Sequence, residues 1–163
     1  MKKAKVLFVC LGNICRSPLA EAIFKTKIRG RGLDHLIEAD SCGTSNYHIG
    51  DQPDSRTIAN ALKNGVTIDH CGRQFSTDDF ERFDLILAMD KSNYQNIFRL
   101  PQSERYAHKI RLMREFDPET GGGEVPDPYY GGETGFQNVF DILDRSTDEL
   151  IALLEKKYIS QNK

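Results

Sequence analysis

The octapeptide Cys10-Leu11-Gly12-Asn13-Ile14-Cys15-Arg16-Ser17 constrains this chain more than any other stretch. It follows the apolar run VLFV at 6–9 and precedes Pro18, the start of a helical pattern. A strand, a tight loop and a helix start in that order make an anion cradle. The loop N–H groups and the positive end of the helix dipole point at one spot. Arg16 matches a phosphate with two parallel hydrogen bonds, which a lysine cannot do. A thiol at Cys10, aimed at the same spot, has its thiolate stabilised by that field and becomes a nucleophile. Gly12 lets the backbone come close to the anion, and Asn13 tolerates a left-handed conformation. The octapeptide therefore reads as a site for phosphoryl transfer through cysteine.

Periodicity supplies the frame around it. Residues 5–9 are short, continuous and apolar, as in a buried strand. A helix begins near Pro18, with Ser17 as N-cap, and Leu19, Ala20, Ile23, Phe24 and Ile28 recur at helical spacing until Gly30 and Gly32. A strand follows over 37–41, running into Gly43. Residues 51–65 read as a helix capped by Asp54, turning Ile58, Ala59 and Leu62 inward and ending at Gly65. The DLILAM run at 84–89 is a second buried strand, followed by a helix over 91–98 in which Asp90 is the cap. A last strand is expected at 108–112, a Gly/Pro/Asp-rich loop over 117–133, and a helix from Phe136 to about Tyr158. Strands alternating with helices imply a parallel sheet covered on both faces, with the site at the carboxyl ends of its strands.

Five segments then carry a resemblance. CLGNICRS at 10–17, SCGTSNYHIG at 41–50, DHCGRQ at 69–74, LAMDKSN at 87–93 and PDPYYGG at 126–132 resemble, in order, the low-molecular-weight protein tyrosine phosphatases. The resemblance implies a single-domain α/β flavodoxin-like fold over 1–163, the last few residues frayed, with a four-stranded parallel sheet. It implies hydrolysis of phosphotyrosine in proteins through a phosphocysteine on Cys10. Asp127, stiffened between Pro126 and Pro128, is then the general acid for the leaving phenolate and afterwards the base that activates water. Tyr47, Tyr129 and Tyr130 are the aromatic walls, with Leu11 and Ile14 lining the pocket from below. Ser17 donates to the thiolate, and Ser41 and His70 support the loop through Asn13. Cys15 is the thiol that forms a protective disulfide with an oxidised Cys10. Cys42 and Cys71 are read as structural, and His35, His48 and His108 as surface residues.

The remaining bounds are exclusions. A chain of 163 residues suits one domain, and its net charge of −2 with mixed signs leaves no footprint for nucleic acid. No apolar run approaches the ~18 residues of a membrane span, and residues 6–11 are too short for a signal peptide core. Four cysteines without C-x2-C spacing point to reduced thiols in the cytosol rather than to zinc. No cofactor or metal is expected; the partners are phosphotyrosine proteins, with inorganic phosphate as product, for a monomer or weak dimer. Three rivals are weighed. Arsenate reductases of this fold need a resolving cysteine pair, and only Cys71 lies near the matching region. Protein arginine phosphatases carry threonines where this chain has Leu11 and Ile14, a narrower polar pocket. A non-catalytic phosphotyrosine-binding module has no use for Cys10, Arg16 and Asp127 together.

Overall fold

Val6, Leu7, Phe8 and Val9 are fully buried in the computed structural model, which describes residues 3–129 and 131–159. Burial on both faces is what a continuous apolar strand at the centre of a covered sheet requires. This strand, β1 (Ala4–Cys10), pairs in parallel with β2 (Ile37–Gly43) on one side and β3 (Leu85–Ala88) on the other. A short β4 (Ile110–Leu112) pairs in parallel with β3. The order β2-β1-β3-β4 is that of a flavodoxin-like sheet, whose strand order reverses between β1 and β3. Cys10 is the last residue of β1, so it stands at that crevice.

Alternation along β1 feeds two cores. Val6 and Phe8 pack with α1 (Arg16–Gly30) and α5 (Glu133–Leu154), where Phe8 meets Phe24 edge-on at 5.5 Å between centroids. Such a pair contributes about 1 kcal/mol beyond its buried area. Leu7 and Val9 face the other way, onto Phe75, Phe80, Phe83 and Ile97 from α3 (Asp78–Arg82), α4 (Lys91–Phe98) and their flanks. The remaining helix, α2 (Ser55–Lys63), packs against α5.

Several sequence expectations are corrected. Helix α1 begins at Arg16 rather than near Pro18, and Cys15, not Ser17, stands at the N-cap. Pro18 still lies in the first turn, where its missing N–H leaves no intrahelical bond unmade. Helix α2 spans 55–63 rather than 51–65, capped by Asp54 as expected. Its buried face is Thr57, Asn60 and Ala61, whereas Ala59 is exposed and Leu62 is 57% exposed. Two contacts set that rotation: the Asp54 N–H donates to Ile14 O at 2.8 Å, and Asn60 Nδ2 donates to Gln137 Oε1 of α5 at 2.9 Å. A polar pair and small side chains bring α2 onto α5, so the apolar stripe points elsewhere. Residues 103–109 form a 3-10 helix ahead of β4, and the five-residue α3 was too short to read from periodicity. Cys42 is buried, but Cys71 is exposed. Among its described residues, the Gly/Pro/Asp-rich 117–133 segment contains no helix or strand before α5.

Candidate active site

The loop after β1 is held from beneath by buried hydrogen bonds. Asn13 sits at φ 58°, the left-handed conformation anticipated for it. Its Nδ2 donates to Ser17 Oγ at 2.8 Å and to Ser41 Oγ at 3.1 Å. Its Oδ1 accepts from the Arg73 N–H at 3.1 Å and faces His70 Nε2 at 2.7 Å. Ser41 Oγ donates to Glu21 Oε1 at 2.6 Å, and His70 Nδ1 lies 3.2 Å from the same oxygen. Burial works against the charge on Glu21, but hydrogen bonds from His70, Lys25 and Ser41 outweigh it and hold the carboxyl below its usual range. Gly43 is needed where β2 passes the loop, because a Cβ there would come within 2.7 Å of Leu11 O.

Cys10 is buried at the strand end, its Sγ 2.9 Å from Ser17 Oγ and accepting the Asn13 N–H at 3.3 Å. Ser17 Oγ accepts from Asn13, so its own proton is shared between the sulfur at 2.9 Å and the more distant Cys42 O at 3.4 Å. Arg16 is buried beside them. Its Nη1 donates to Asp90 Oδ2 at 2.7 Å and to Val125 O at 3.0 Å, and its Nη2 is 3.8 Å from Asp127 Oδ2. Burial opposes the guanidinium charge, yet the charge of a Cys10 thiolate and the hydrogen-bonded Asp90 together raise its pKa above the ordinary value. Asp90 also accepts the Asn93 N–H at 2.8 Å, so one carboxylate caps α4 and orients Arg16. With Nη1 tied down, the Nε–Nη2 edge is left to meet a planar pair of oxygens.

These residues close around a cup of about 280 Å³ lined by Cys10, Leu11, Gly12, Ile14, Cys15, Arg16, Tyr47, His48, Asp127 and Tyr129. Loop, arginine, carboxylate and two of the three aromatic residues singled out in the sequence are thus brought together; Tyr130 lies outside the described residues. Asp127 Oδ1 accepts the Tyr129 N–H at 3.0 Å, linking the carboxylate to the aromatic wall. Ser41 and His70 stand behind the loop, away from the cup. Burial pushes the Cys15 thiol up to about 12, so it stays protonated at neutral pH. One expectation is corrected: His48 is not a plain surface residue but part of the cup wall. A Cβ on Gly12 would come within 3.0 Å of its ring, and its Nδ1 pairs with Asp51 Oδ2 at 3.0 Å. A thiol on the floor, a guanidinium beside it and a carboxylate facing both can accept, hold and release a phosphoryl group.

A family model described as low molecular weight phosphotyrosine protein phosphatase matches residues 5–161. The chain belongs to that family. A low molecular weight protein-tyrosine-phosphatase of Streptomyces coelicolor is 44% identical over 155 residues, covering 94% of each chain. Among solved structures, a protein tyrosine phosphatase of Entamoeba histolytica with Hepes in its active site superposes with a TM-score of 0.89 at 45% identity, covering 94% of this chain and 98% of that one. The Drosophila arginine phosphatase DARP superposes at 0.84 with 33% identity, covering 93% and 98%. Phosphatases named for two different substrates thus share this fold. Asp90, expected only as the cap of the helix over 91–98, and Val125, for which the sequence suggests no role, are the residues that hold Arg16. Asp90 carried a signal in LAMDKSN, but Val125 acts through its carbonyl, which no side-chain pattern reveals. No helix among the described residues is long and apolar enough to cross a membrane.

Proposed function

We propose that this member of the family hydrolyses phosphotyrosine in proteins in two steps through Cys10. The observation that carries the reading is the single cup whose lining includes a thiol, a buried arginine, an aspartate and tyrosine rings. In the first step the Cys10 thiolate attacks phosphorus in line, forming the S–P bond as the P–O bond to the phenol breaks. Asp127, in its acid form, gives its proton to the leaving phenolate. The loop N–H groups and the Nε–Nη2 edge of Arg16 stabilise charge on the equatorial oxygens. Ser17 donates to the sulfur as it becomes the leaving group of the second step. Asp127, now a carboxylate, takes a proton from water, which attacks phosphorus, frees Cys10 as thiolate and yields inorganic phosphate. None of these steps calls on a metal ion.

The walls of the cup select the substrate. Leu11 and Ile14 of the loop, with Tyr47 and Tyr129 at the rim, form apolar and aromatic walls that suit a phenyl ring better than a guanidinium. Tyr130 is read as a further part of that wall from its sequence alone. Asn13, Ser41 and His70 act by holding the loop in register. Cys15, a protonated thiol, does not compete with Cys10; after peroxide converts Cys10 to a sulfenic acid, Cys15 attacks that sulfur and water leaves, giving a disulfide. The enzyme works as a monomer or weak dimer in the reducing cytosol, where a cysteine nucleophile survives.

The test is turnover of one peptide carrying phosphotyrosine, phosphoserine or phosphoarginine, with chelator present. Preference for phosphotyrosine is the expected result. Preference for phosphoarginine would keep the two-step chemistry and overturn the aromatic reading of the rim, and no turnover on any of them would overturn both.

A further inference from the structure

The Tyr129 ring stands on the Gly/Pro/Asp-rich segment, whose described residues before α5 form no helix or strand. Behind the ring lies Arg56 of α2. Its guanidinium carbon is 5.3 Å from the Tyr129 centroid and 4.8 Å from that of Phe136 in the first turn of α5. A guanidinium facing an aromatic ring at this range is attracted by the ring's negative face.

Arg56 is itself fixed. Its Nε and Nη2 donate to the two oxygens of Asp54 at 3.0 and 2.9 Å. Asp54 Oδ1 also accepts the Arg56 backbone N–H at 2.9 Å, as the cap of α2. Hydrogen bonds from Arg56 hold the Asp54 carboxyl below its usual range, so the pair stays ionic at neutral pH. Through its own backbone N–H, Asp54 bonds Ile14 O of the phosphate loop at 2.8 Å. An unbroken series of contacts therefore joins the loop that holds the phosphate to the ring that flanks the cup. Tyr129 returns it to Asp127 through its N–H.

We infer that Arg56 is a positioning residue that sets the Tyr129 wall at a fixed distance and angle from the phosphate loop, so that affinity for an aromatic phosphate ester runs through it. The inference rests on the phosphotyrosine reading and adds what keeps the wall in place. The bare phosphate ion occupies only the loop and does not sense the wall. A phenyl ester spans loop and wall, and its affinity depends on their separation.

The experiment pairs the KM and kcat for a phosphotyrosine peptide with the inhibition constant of inorganic phosphate, in wild type, Arg56→Ala, Arg56→Gln, Arg56→Lys and Tyr129→Ala. In the alanine and glutamine variants the peptide KM is expected to rise about three- to fivefold, the scale of one exposed cation–aromatic contact. The phosphate inhibition constant should hold within about twofold, since the loop hydrogen bonds are intact. Arg56→Lys should recover part of the KM, because an ammonium still faces the ring but cannot fork onto Asp54. Adding Arg56→Ala to Tyr129→Ala should cost little more than Tyr129→Ala alone. A parallel rise in KM and in the phosphate constant would overturn the inference, as would full additivity of the two alanine substitutions. Wild-type enzyme that fails on the phosphotyrosine peptide would instead overturn the functional reading, a result visible before any variant is made.

Discussion

At the floor of the cup Asn13 is 1% exposed and Ser17 and Ser41 not at all, while at the rim Tyr47 is 72% exposed and the Asp127 side chain 46%. The floor is carried by the end of β1, the start of α1 and the edge of β2, and its side chains satisfy one another. The rim is carried by the 44–50 and 117–132 segments, whose described residues lie outside any helix or strand. The difference matters because the two regions do different work. Phosphoryl transfer tolerates little misplacement of sulfur, arginine and loop, so those groups sit where packing and matched polar partners leave one arrangement. Recognition of the group that carries the phosphate needs walls of suitable shape, which surface loops can alter without disturbing the floor. Asp127 is the exception that joins the regions: it belongs to the rim by exposure and to the chemistry by its contact with Arg16.

That contrast can be pushed on from both sides. The largest effect is expected for Asn13→Ala, on the floor. It removes side-chain hydrogen bonds to Ser17, Ser41, His70 and the Arg73 N–H, and puts alanine at φ 58°. At near 1 kcal/mol for each of the four, with a left-handed penalty of about 1 kcal/mol added, the loss is roughly 5 kcal/mol. Thermal denaturation should show a midpoint lower by about 10–20 °C for a domain of this size. The kcat should fall about a hundredfold as the loop leaves its register. An unchanged melting point with full activity would show that the buried network is incidental. Tyr47→Ala, at the rim, should do much less: KM for the phosphotyrosine peptide up about threefold, and melting within about 1 °C of wild type, as for an exposed side chain. A large loss of stability there would erase the distinction between floor and rim.

Much of this was legible in the residues. CLGNICRS announced a thiol and a guanidinium at a strand-to-helix turn, and Asn13 adopts the left-handed conformation that its residue type tolerates. The alternation of apolar runs gave the parallel sheet; the order of its strands came through the resemblance rather than through periodicity. Side-chain identity failed wherever a backbone group or a tertiary contact decided the outcome. Val125 orients Arg16 through its carbonyl, so its side chain carried no hint. Helix α2 is turned by the Asp54–Ile14 and Asn60–Gln137 contacts, which outweigh its Ile58–Leu62 stripe. Ser17 looked like a cap because serine usually is one, and here the helix starts two residues earlier, at Arg16, and leaves the hydroxyl within reach of Cys10. His48 became part of the cup only when Gly12 was seen beneath its ring.

Trapping the covalent intermediate tests the role of Cys10 itself. Asp127→Asn enzyme, mixed with an aryl phosphate whose leaving group needs no acid, should release the phenol quickly and then stall, because no carboxylate activates water. Rapid quenching, digestion and mass spectrometry should find one phosphoryl group on Cys10, and Cys10→Ser should show neither phosphoryl-cysteine nor turnover. A phosphoryl group on any other residue, or sustained turnover by Cys10→Ser, would show that Cys10 does not receive the phosphate.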